Sequence, residues 1–575
     1  MSESIVPLPA TPFTDLAQTG EALESMRSRL RLAGRLAEFL GRLSPEEVAP
    51  GLRLLLGRPF AEWDGRALNF GGQLLFALLE ALAPAGAQEC EGIFAEAVDG
   101  GQAAFLLFDR FRATPPAGPP LALLEVSRVL EEIAAVAGAG ARRRKEGLLR
   151  ALLERASPLE VKYLAKAVLG EMRHGVSEGI ALEGIAHVAN VPVDEVRRAN
   201  QLLGDLGEVA AIALGRGAAG LREVRLRLFR PIKPMLAQTA DDMGEVFRRM
   251  AGRLALEYKL DGARVQIHVR EEEVRIFSRH LADVTGGLPD VVAEVQQKLH
   301  ARQAVVEGEV VAVDGAGRPL PFQEIMRRFR RVHDVAAMVA EVPVFLCLFD
   351  CLHRDGEDLL DRPCRERWAA LEEVAGALQL VRRCLPTSVA AGQTFAEEAR
   401  RAGHEGVMAK DLDSPYTPGV RGMAWLKLKH VLTLDLAVVA ADWGYGRRHG
   451  WLSNLHLAVR DEESGEFLLV GKTFKGLTDA QFKEMTGQLL SLERSRRGGT
   501  VTVEPRIVVE VLFNEIQASP RYKSGLALRF ARVLRIREDK GPEEVDTLQT
   551  LRRLYQEQFE YKGRRGPDPQ KTAEG

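Results

Sequence analysis

Between about residue 20 and residue 215, apolar side chains recur at a spacing of three and four, as in ESMRSRLRLAGRLAEFLGRL and PLEVKYLAKAVLGEM. That period places them on one face of a helix, and the intervening Glu, Arg and Ala are strong helix formers. The run does not read as one long coil. Ser44-Pro45, Gly57-Arg58-Pro59 and Ser157-Pro158 supply caps and breaks that divide it into many short helices. No repeat of fixed period stands out. Near residue 225 the pattern changes. Phe229-Arg230-Pro231-Ile232-Lys233-Pro234-Met235 carries two prolines in four residues, and after it the apolar positions alternate in short runs: LALEYKL, ARVQIHV, EVRIFSR, AVVEGEVVAVD, VPVFLCLFD, GVMAKD and WLKLK. Alternation with period two predicts strands, here in one mixed domain with antiparallel sheet.

After residue 432 a further series follows: LDLAVVAADWG, LSNLHLAVRD, EFLLVGKTF, IVVEVLFNEI and LRFARVLRIRED, with one helix near TDAQFKEMTGQLLSLE. About five strands and one helix in roughly 110 residues predict a small closed barrel of the OB type. The predicted architecture is therefore multidomain: an all-α region at 1–225, an α+β region at 226–432, an OB-fold β-barrel at 433–560, and a mobile tail at 561–575 that is poor in apolar residues.

Composition narrows the class without naming a task. Of 575 residues, 78 are Lys or Arg and 80 are Asp or Glu, so the net charge of −2 excludes a uniformly basic coat and leaves only local basic surfaces. No stretch of about 18 apolar residues is present, and MSESIVPLPATPFTDL lacks a basic flank followed by an apolar run, which predicts a cytoplasmic protein with no membrane partner. Five cysteines (Cys90, Cys347, Cys351, Cys364, Cys384) without a CxxC pair suggest neither a disulfide framework nor a four-cysteine zinc site. Cys347, Cys351 and His353 lie in or beside the apolar run VPVFLCLFDCL, where buried core is the better reading than metal ligation.

The chemistry concentrates in Glu257-Tyr258-Lys259-Leu260-Asp261-Gly262-Ala263-Arg264. On a strand, Glu257 and Lys259 share one face while Leu256, Tyr258 and Leu260 share the other, and Asp261-Gly262 then makes a turn. A carboxylate and an amine are thereby aimed at one space, and Arg264 follows as a donor fork suited to phosphate or ribose oxygens. Taken alone, the segment has a second reading, an amphipathic hairpin with a charged outer face. Further segments appear in order: Ser278-Arg279, Glu307-Gly308-Glu309-Val310-Val311, Phe349-Asp350, Glu405-Gly406-Val407-Met408, and Trp425-Leu426-Lys427-Leu428-Lys429. Lys427 and Lys429, two apart, present both ammonium groups to one side.

This ordered set resembles the nucleotidyltransferase motifs of the ATP-dependent DNA ligases, especially the archaeal and eukaryotic type with an N-terminal helical DNA-binding domain. LRLLLGRPF and VKYLAKAVLGEMRHGVSEG resemble that helical domain, and SPRYKSGLALRFARVLRIREDKGPEEVDTL resembles the end of the ligase OB domain, so the likeness spans nearly the whole chain. It implies a Lys259–AMP intermediate formed from ATP, transfer of AMP to the 5′-phosphate of a nick in duplex DNA, and sealing by the 3′-hydroxyl. It implies that Glu257 accepts from the adenine amine and Phe349 stacks on the base. Arg264 and Arg279 would hold ribose and phosphate, and Arg421, Lys427 and Lys429 would neutralise phosphates. Glu309 would contact ribose or a metal ion, with Glu405 as the second metal candidate for Mg²⁺ or Mn²⁺. Arg537-Glu538-Asp539-Lys540 matches the family's final RxDK motif, in which Arg537 and Lys540 orient the pyrophosphate.

An ordinary lysine amine, with a pKa of about 10.4, is almost fully protonated at neutral pH, so such a site must favour the neutral form through metal, neighbouring cations and desolvation. Arg142, Arg143 and Arg144, followed by Lys145, and Arg447 and Arg448 in the Trp443–Gly450 loop are candidate contacts to DNA phosphates. The implied enzyme is a nucleoid-associated monomer acting in replication, repair and recombination, with a sliding clamp as a candidate partner. An RNA ligase or capping-type enzyme uses the same lysine motif, and a non-catalytic DNA clamp is the alternative outside enzymology. The large helical region and the intact motif series speak against both. The missing four-cysteine module speaks against an NAD⁺-dependent ligase.

Overall fold

A computed structural model describes residues 10–112, 114–116, 118–250, 252–329, 335–429, 432–444 and 446–558. The tail predicted to be mobile, 561–575, lies outside them. From Phe13 to Arg222 the described chain is helical, in twelve segments. Their apolar faces follow from the spacing: helix Arg29–Leu40 buries Leu32, Ala33, Leu36, Ala37, Phe39 and Leu40. The sequence breaks act as caps. Ser44 and Ser157 each begin a helix whose first residue is proline, and Glu47 and Glu160 complete capping boxes. Gly170 and Gly204 end helices with positive φ of 71° and 60°, a conformation that a β-carbon disfavours. One apolar core runs through this region and continues into Ile232, Met235, Tyr416 and Trp425 of the segment beyond it.

That continuity is fixed by hydrogen bonds. Phe229 N donates to His268 Nδ1 at 2.9 Å and Ile232 N to Gln266 Oε1 at 2.9 Å, so the proline-bearing link lies against strand Ala263–Arg270. The middle region contains two sheets. One has the order Leu236–Thr239, Arg421–Lys429, Gly406–Asp411, Leu254–Lys259, Arg383–Cys384. The other has the order Glu273–Ser278, Ala263–Arg270, Gln303–Ala312, Val344–Arg354, Glu357–Asp358, with Gln379–Leu380 also beside Val344–Arg354. Most pairs are antiparallel, as alternation predicts. Two are parallel, Leu236–Thr239 with Arg421–Lys429 and Gln379–Leu380 with Val344–Arg354, because their chains return by long connections. Leu256, Tyr258, Leu260, Val311, Cys347, Val407 and Leu426 form the core shared by the sheets. Cys347 is buried there and Cys351 in the separate core behind the second sheet, both as core thiols, and all five cysteines are free.

The C-terminal region departs from the expected closed barrel. Strand Leu432–Trp443 is the axis of a seven-stranded sheet. Leu452–Arg460 pairs along one edge of it, and Val508–Phe513 followed by Thr500–Val503 pairs along the other. Phe467–Thr473, Arg532–Ile536 and Glu493–Arg497 then lie at three open ends. Closure requires each edge to be matched by a ladder. At the place where Phe467–Thr473 approaches Arg532–Ile536, the contact is instead Thr473 Oγ1 donating to Ala531 O at 2.7 Å and Val533 N donating to Lys475 O at 3.0 Å. The cause is local. Gly476, with φ of +112°, turns the chain under Val533 so closely that a β-carbon would lie 1.9 Å from Val533 O, which makes the meeting a crossing and not a ladder. Leu526–Arg529 pairs with Glu515–Ala518 in a separate two-stranded sheet. The described residues thus hold nine strands here where the sequence suggested about five; Glu493–Arg497 (ERSRR) is exposed throughout and carries no apolar alternation to betray it. Among the described residues, no helix is long and apolar enough to cross a membrane.

Candidate active site

Lys259 is the last residue of strand Leu254–Lys259, and the turn Asp261-Gly262 carries the chain straight into Ala263–Arg270 of the other sheet. The turn must be tight. A β-carbon on Gly262 would sit 2.5 Å from Val310 O and 2.9 Å from Glu309 Cγ, so only glycine lets the lysine strand approach the strand bearing Glu309. On the other side, Gly406 stands opposite both Lys259 and Lys429 in the ladders, and Glu405 N donates to Lys259 O at 3.0 Å. Gly406 has φ of +141°, and a β-carbon there would lie 2.3 Å from Leu428 O.

These backbone constraints bring charges together. Glu405 Oε2 lies 2.7 Å from Lys259 Nζ and 2.8 Å from Lys429 Nζ. Burial works against ionising Glu405, but the two ammonium groups hold its carboxyl down to about 2. Burial would likewise lower the Lys259 pKa, yet Glu405 and Glu309 outweigh it and the amine is pushed up. A nucleophilic lysine must be biased toward the neutral form; in this arrangement the bias runs the other way, because two carboxylates face it. Glu309 is pushed up to about 7 by burial, with Lys259 and Arg264 pulling in the opposite direction. Lys427 is lowered by burial and by the neighbouring cations Lys429, Arg421 and Lys259. Four cations, Lys259, Arg421, Lys427 and Lys429, therefore converge across strand Gly406–Asp411, which separates the two lysine-bearing strands, with Glu405, Glu309 and Asp261 facing Lys259. Such a field suits a polyphosphate.

Behind Lys259 the same strand presents Glu257. Its Oε2 accepts from Lys410 Nζ at 2.6 Å, whereas its buried Oε1 has no hydrogen-bond partner. Burial raises the Glu257 pKa. Phe349 is half-buried, and its carbonyl accepts from Lys410 Nζ at 2.9 Å. Arg264 is not an open fork. Its Nη2 donates to Glu307 Oε2 at 2.7 Å and its Nη1 to Met235 O at 2.8 Å, and the guanidinium sits 5.3 Å from the centroids of both Phe349 and Trp425. Nε remains the buried atom without a partner. Arg279 and Arg421 are exposed, the latter at the start of the lysine strand.

The outlying candidates are more dispersed. Arg537 Nη1 donates to both oxygens of Asp435 at 3.0 and 2.9 Å, and Lys540 Nζ donates to Asp435 Oδ2 at 2.7 Å. One carboxylate thus engages both cations of the terminal motif. Arg142, Arg143 and Arg144 lie inside helix Ala141–Leu153, not ahead of it. Arg142 pairs with Glu146, Arg144 donates to Ala137 O, and Lys145 is buried against Leu68 O, leaving Arg143 as the exposed member for which no partner is seen. Arg448 is pinned by Asp479, Phe474 O and the face of Phe482, while Arg447 is largely exposed beside the same Asp479.

Sequence reasoning passed over Glu307, Lys410, Tyr416 and Arg383. Glu307 was legible: two residues from Glu309 on a strand, it must share that face, and it accepts from Arg264 and Tyr416 OH. Lys410 shares a face with Met408 in GVMAKD and could have been marked the same way. Tyr416 and Arg383 carried no local signal.

For a divalent cation the donor chemistry fits. Glu309 and Glu405 are oxygen donors flanking the amine, and among the described residues no cluster of three or more His, Cys, Asp or Glu forms a closed cage. A site with one or two carboxylates, completed by phosphate oxygens, is the pattern magnesium favours.

Comparisons with known proteins cover nearly the whole chain. Residues 12–186 match the family described as DNA ligase N terminus, 234–429 the ATP dependent DNA ligase domain, and 448–540 the ATP dependent DNA ligase C terminal region. A probable DNA ligase of Anaeromyxobacter dehalogenans is 46% identical over 94% of this chain and 99% of its own, and DNA ligase 1 of Korarchaeum cryptofilum is 44% identical over 95% and 98%. A solved structure titled Pmar-Lig_Pre aligns over 91% of this chain and 99% of that one with a TM-score of 0.53 at 17% identity, a likeness of fold alone. From helical start to C-terminal sheet, the chain belongs to the ATP-dependent DNA ligase family.

Proposed function

We propose that Lys259 is the nucleophile through which this ATP-dependent DNA ligase seals nicks. Its Nζ attacks the α-phosphorus of ATP, a P–N bond forms as the bond to pyrophosphate breaks, and AMP is left on the lysine. The 5′-phosphate of a nick then takes the AMP from Lys259, and attack by the 3′-hydroxyl expels AMP and closes the strand. The observation that carries the assignment is the shared carboxylate: Glu405 holds Lys259 Nζ at 2.7 Å and Lys429 Nζ at 2.8 Å, with Arg421 and Lys427 adding charge beside them.

The other roles follow from the surroundings. Glu257 Oε1, buried and unpartnered, accepts from the adenine amine; Phe349 covers the ring; Arg421, Lys427 and Lys429 hold phosphate oxygens; and Arg279 reaches from the exposed rim. Arg264 sets the positions of Phe349 and Glu307 and keeps Nε for the nucleotide. Arg537 and Lys540 reach the pyrophosphate after parting from Asp435. Glu309 and Glu405 would hold Mg²⁺ or Mn²⁺, which supplies electrostatic stabilisation to the transferring phosphoryl group. Neutralising these carboxylates also removes the influence that keeps Lys259 protonated.

The division into a DNA-binding helical region at 1–225, an adenylation region at 226–432 and a C-terminal region at 433–560 is supported by the three family matches, each of which falls within one of them. Incubation with Mg²⁺ and α-labelled ATP tests the central role. Wild type acquires covalent label that is stable to base and labile to acid, as a P–N bond is, and that is discharged as nicked duplex is sealed; Lys259→Ala acquires none. Equal labelling of Lys259→Ala would overturn the assignment.

A further inference from the structure

The strand Arg383–Cys384 is two residues long, and its pairing sets Arg383 directly opposite Glu257. Residues opposed in a ladder share a face, so the Arg383 side chain stands on the side to which Glu257 and Lys259 point. The guanidinium carbon lies 4.1 Å from the centroid of the Trp368 ring, which fixes its plane. Only 9% of the side chain is exposed, yet Nε and Nη1 are buried without a hydrogen-bond partner. The nearest carboxylate oxygen, Glu257 Oε1, is 3.9 Å from Nε, beyond hydrogen-bond distance, and is itself unpartnered. Two orphan donors and one orphan acceptor, all buried and side by side, make a recognition edge: native proteins rarely leave such groups unsatisfied without a ligand to complete them.

The pattern of that edge selects a base. Adenine presents its exocyclic amine as a donor with a ring-nitrogen acceptor on either side, N7 on one edge and N1 on the other. A carboxylate oxygen next to a guanidinium matches either pair, acceptor to amine and donor to ring nitrogen. Guanine places an O6 acceptor where adenine has its amine, so in the same pose its oxygen would face the Glu257 carboxylate. We propose that Arg383 is a specificity-determining residue of the nucleotide site, donating from Nε or Nη1 to N1 or N7 of the adenine whose amine Glu257 accepts. This rests on the proposed role of Glu257 and adds the second half of the base reading.

Single-turnover labelling of Lys259 tests it, with ATP, GTP, 1-deaza-ATP and 7-deaza-ATP as probes on wild type, Arg383→Met, Arg383→Lys and Glu257→Gln. In wild type one of the two deaza analogues should raise the half-saturating concentration on the order of tenfold relative to ATP. In Arg383→Met that analogue should behave as ATP does, ATP itself should bind on the order of tenfold more weakly, and preference for ATP over GTP should shrink; Arg383→Lys should restore part of the discrimination. The analogue-to-ATP and GTP-to-ATP comparisons are ratios within one preparation, so a partly folded variant still reports. If neither analogue discriminates in wild type, or if the discrimination survives unchanged in Arg383→Met, Arg383 does not read the base. If Glu257→Gln labels from ATP like wild type, the underlying reading of Glu257 fails instead.

Discussion

Glu309 is a carboxyl that titrates near neutrality beside a lysine, and its charge therefore changes within the range where the enzyme would be assayed. Its ordinary pKa of 4.5 is raised to about 7 by burial. A raised pKa means that the folded state prefers the protonated carboxyl: that stabilisation is fully present below about pH 4.5 and is lost as pH rises through about 7. Glu309→Gln removes the titration. The melting-temperature difference between Glu309→Gln and wild type should therefore move in favour of the variant between pH 5 and pH 8, by an amount equivalent to about 1–3 kcal/mol. A difference that stays flat with pH would show that Glu309 is not held in this state. The same substitution should slow Lys259 labelling at pH 8, since the charge proposed to bind the metal is lost, while wild-type labelling at limiting Mg²⁺ should climb from pH 6 to pH 8 as Glu309 loses its proton.

At the scale of the element, strand ends and turns set the site, and the glycines there are the points of least tolerance. Gly262→Ala would drive a methyl group into Val310 O and Glu309 Cγ. The expected result is a loss of about 1–3 kcal/mol in stability by denaturant titration together with reduced Lys259 labelling; unchanged values of both would refute the close approach. Strand periodicity explains why so much of this region was legible: Glu257 with Lys259 and Lys427 with Lys429 each fall on one face by alternation, and the spacing of caps at Ser44 and Ser157 divided the helices correctly. The limits are equally physical. Arg383 sits on a two-residue strand, too short to show a period, and Tyr416 reaches Glu307 from 109 residues away. The closed barrel was expected because the C-terminal strands alternate as barrel strands do; whether edges meet depends on a turn at Gly476 that alternation does not encode.

At the scale of the whole molecule, an ion-pair set that ties the start of the C-terminal region to its end and the binding of duplex DNA can both be probed. Asp435 carries Arg537 and Lys540 together, with side-chain exposures of 11%, 13% and 30%. Asp435→Ala leaves both cations without that carboxylate and should lower stability by about 2–3 kcal/mol in a thermal or denaturant melt; a silent substitution would show that the pairing does not persist in solution. On the reading that phosphates and not base edges supply the contacts, nicked-duplex binding should weaken as a linear function of log salt and should not change with the sequence around the nick. A marked sequence preference at fixed salt would contradict that. The tight turn at Asp261-Gly262 has a mechanical consequence. The strand that ends in Lys259 is joined through residues 260–262 to a strand of the opposing sheet, so the two walls of the cleft are stitched together beside the proposed nucleophile. The chain crosses between the same sheets again in the two residues that separate Gln379–Leu380 from Arg383–Cys384, so the sheets are tied beside both Lys259 and Glu257, and relative motion there is expected to be smallest. The cleft can admit and release a nucleotide while its reacting geometry stays still, as a book opens without moving its spine.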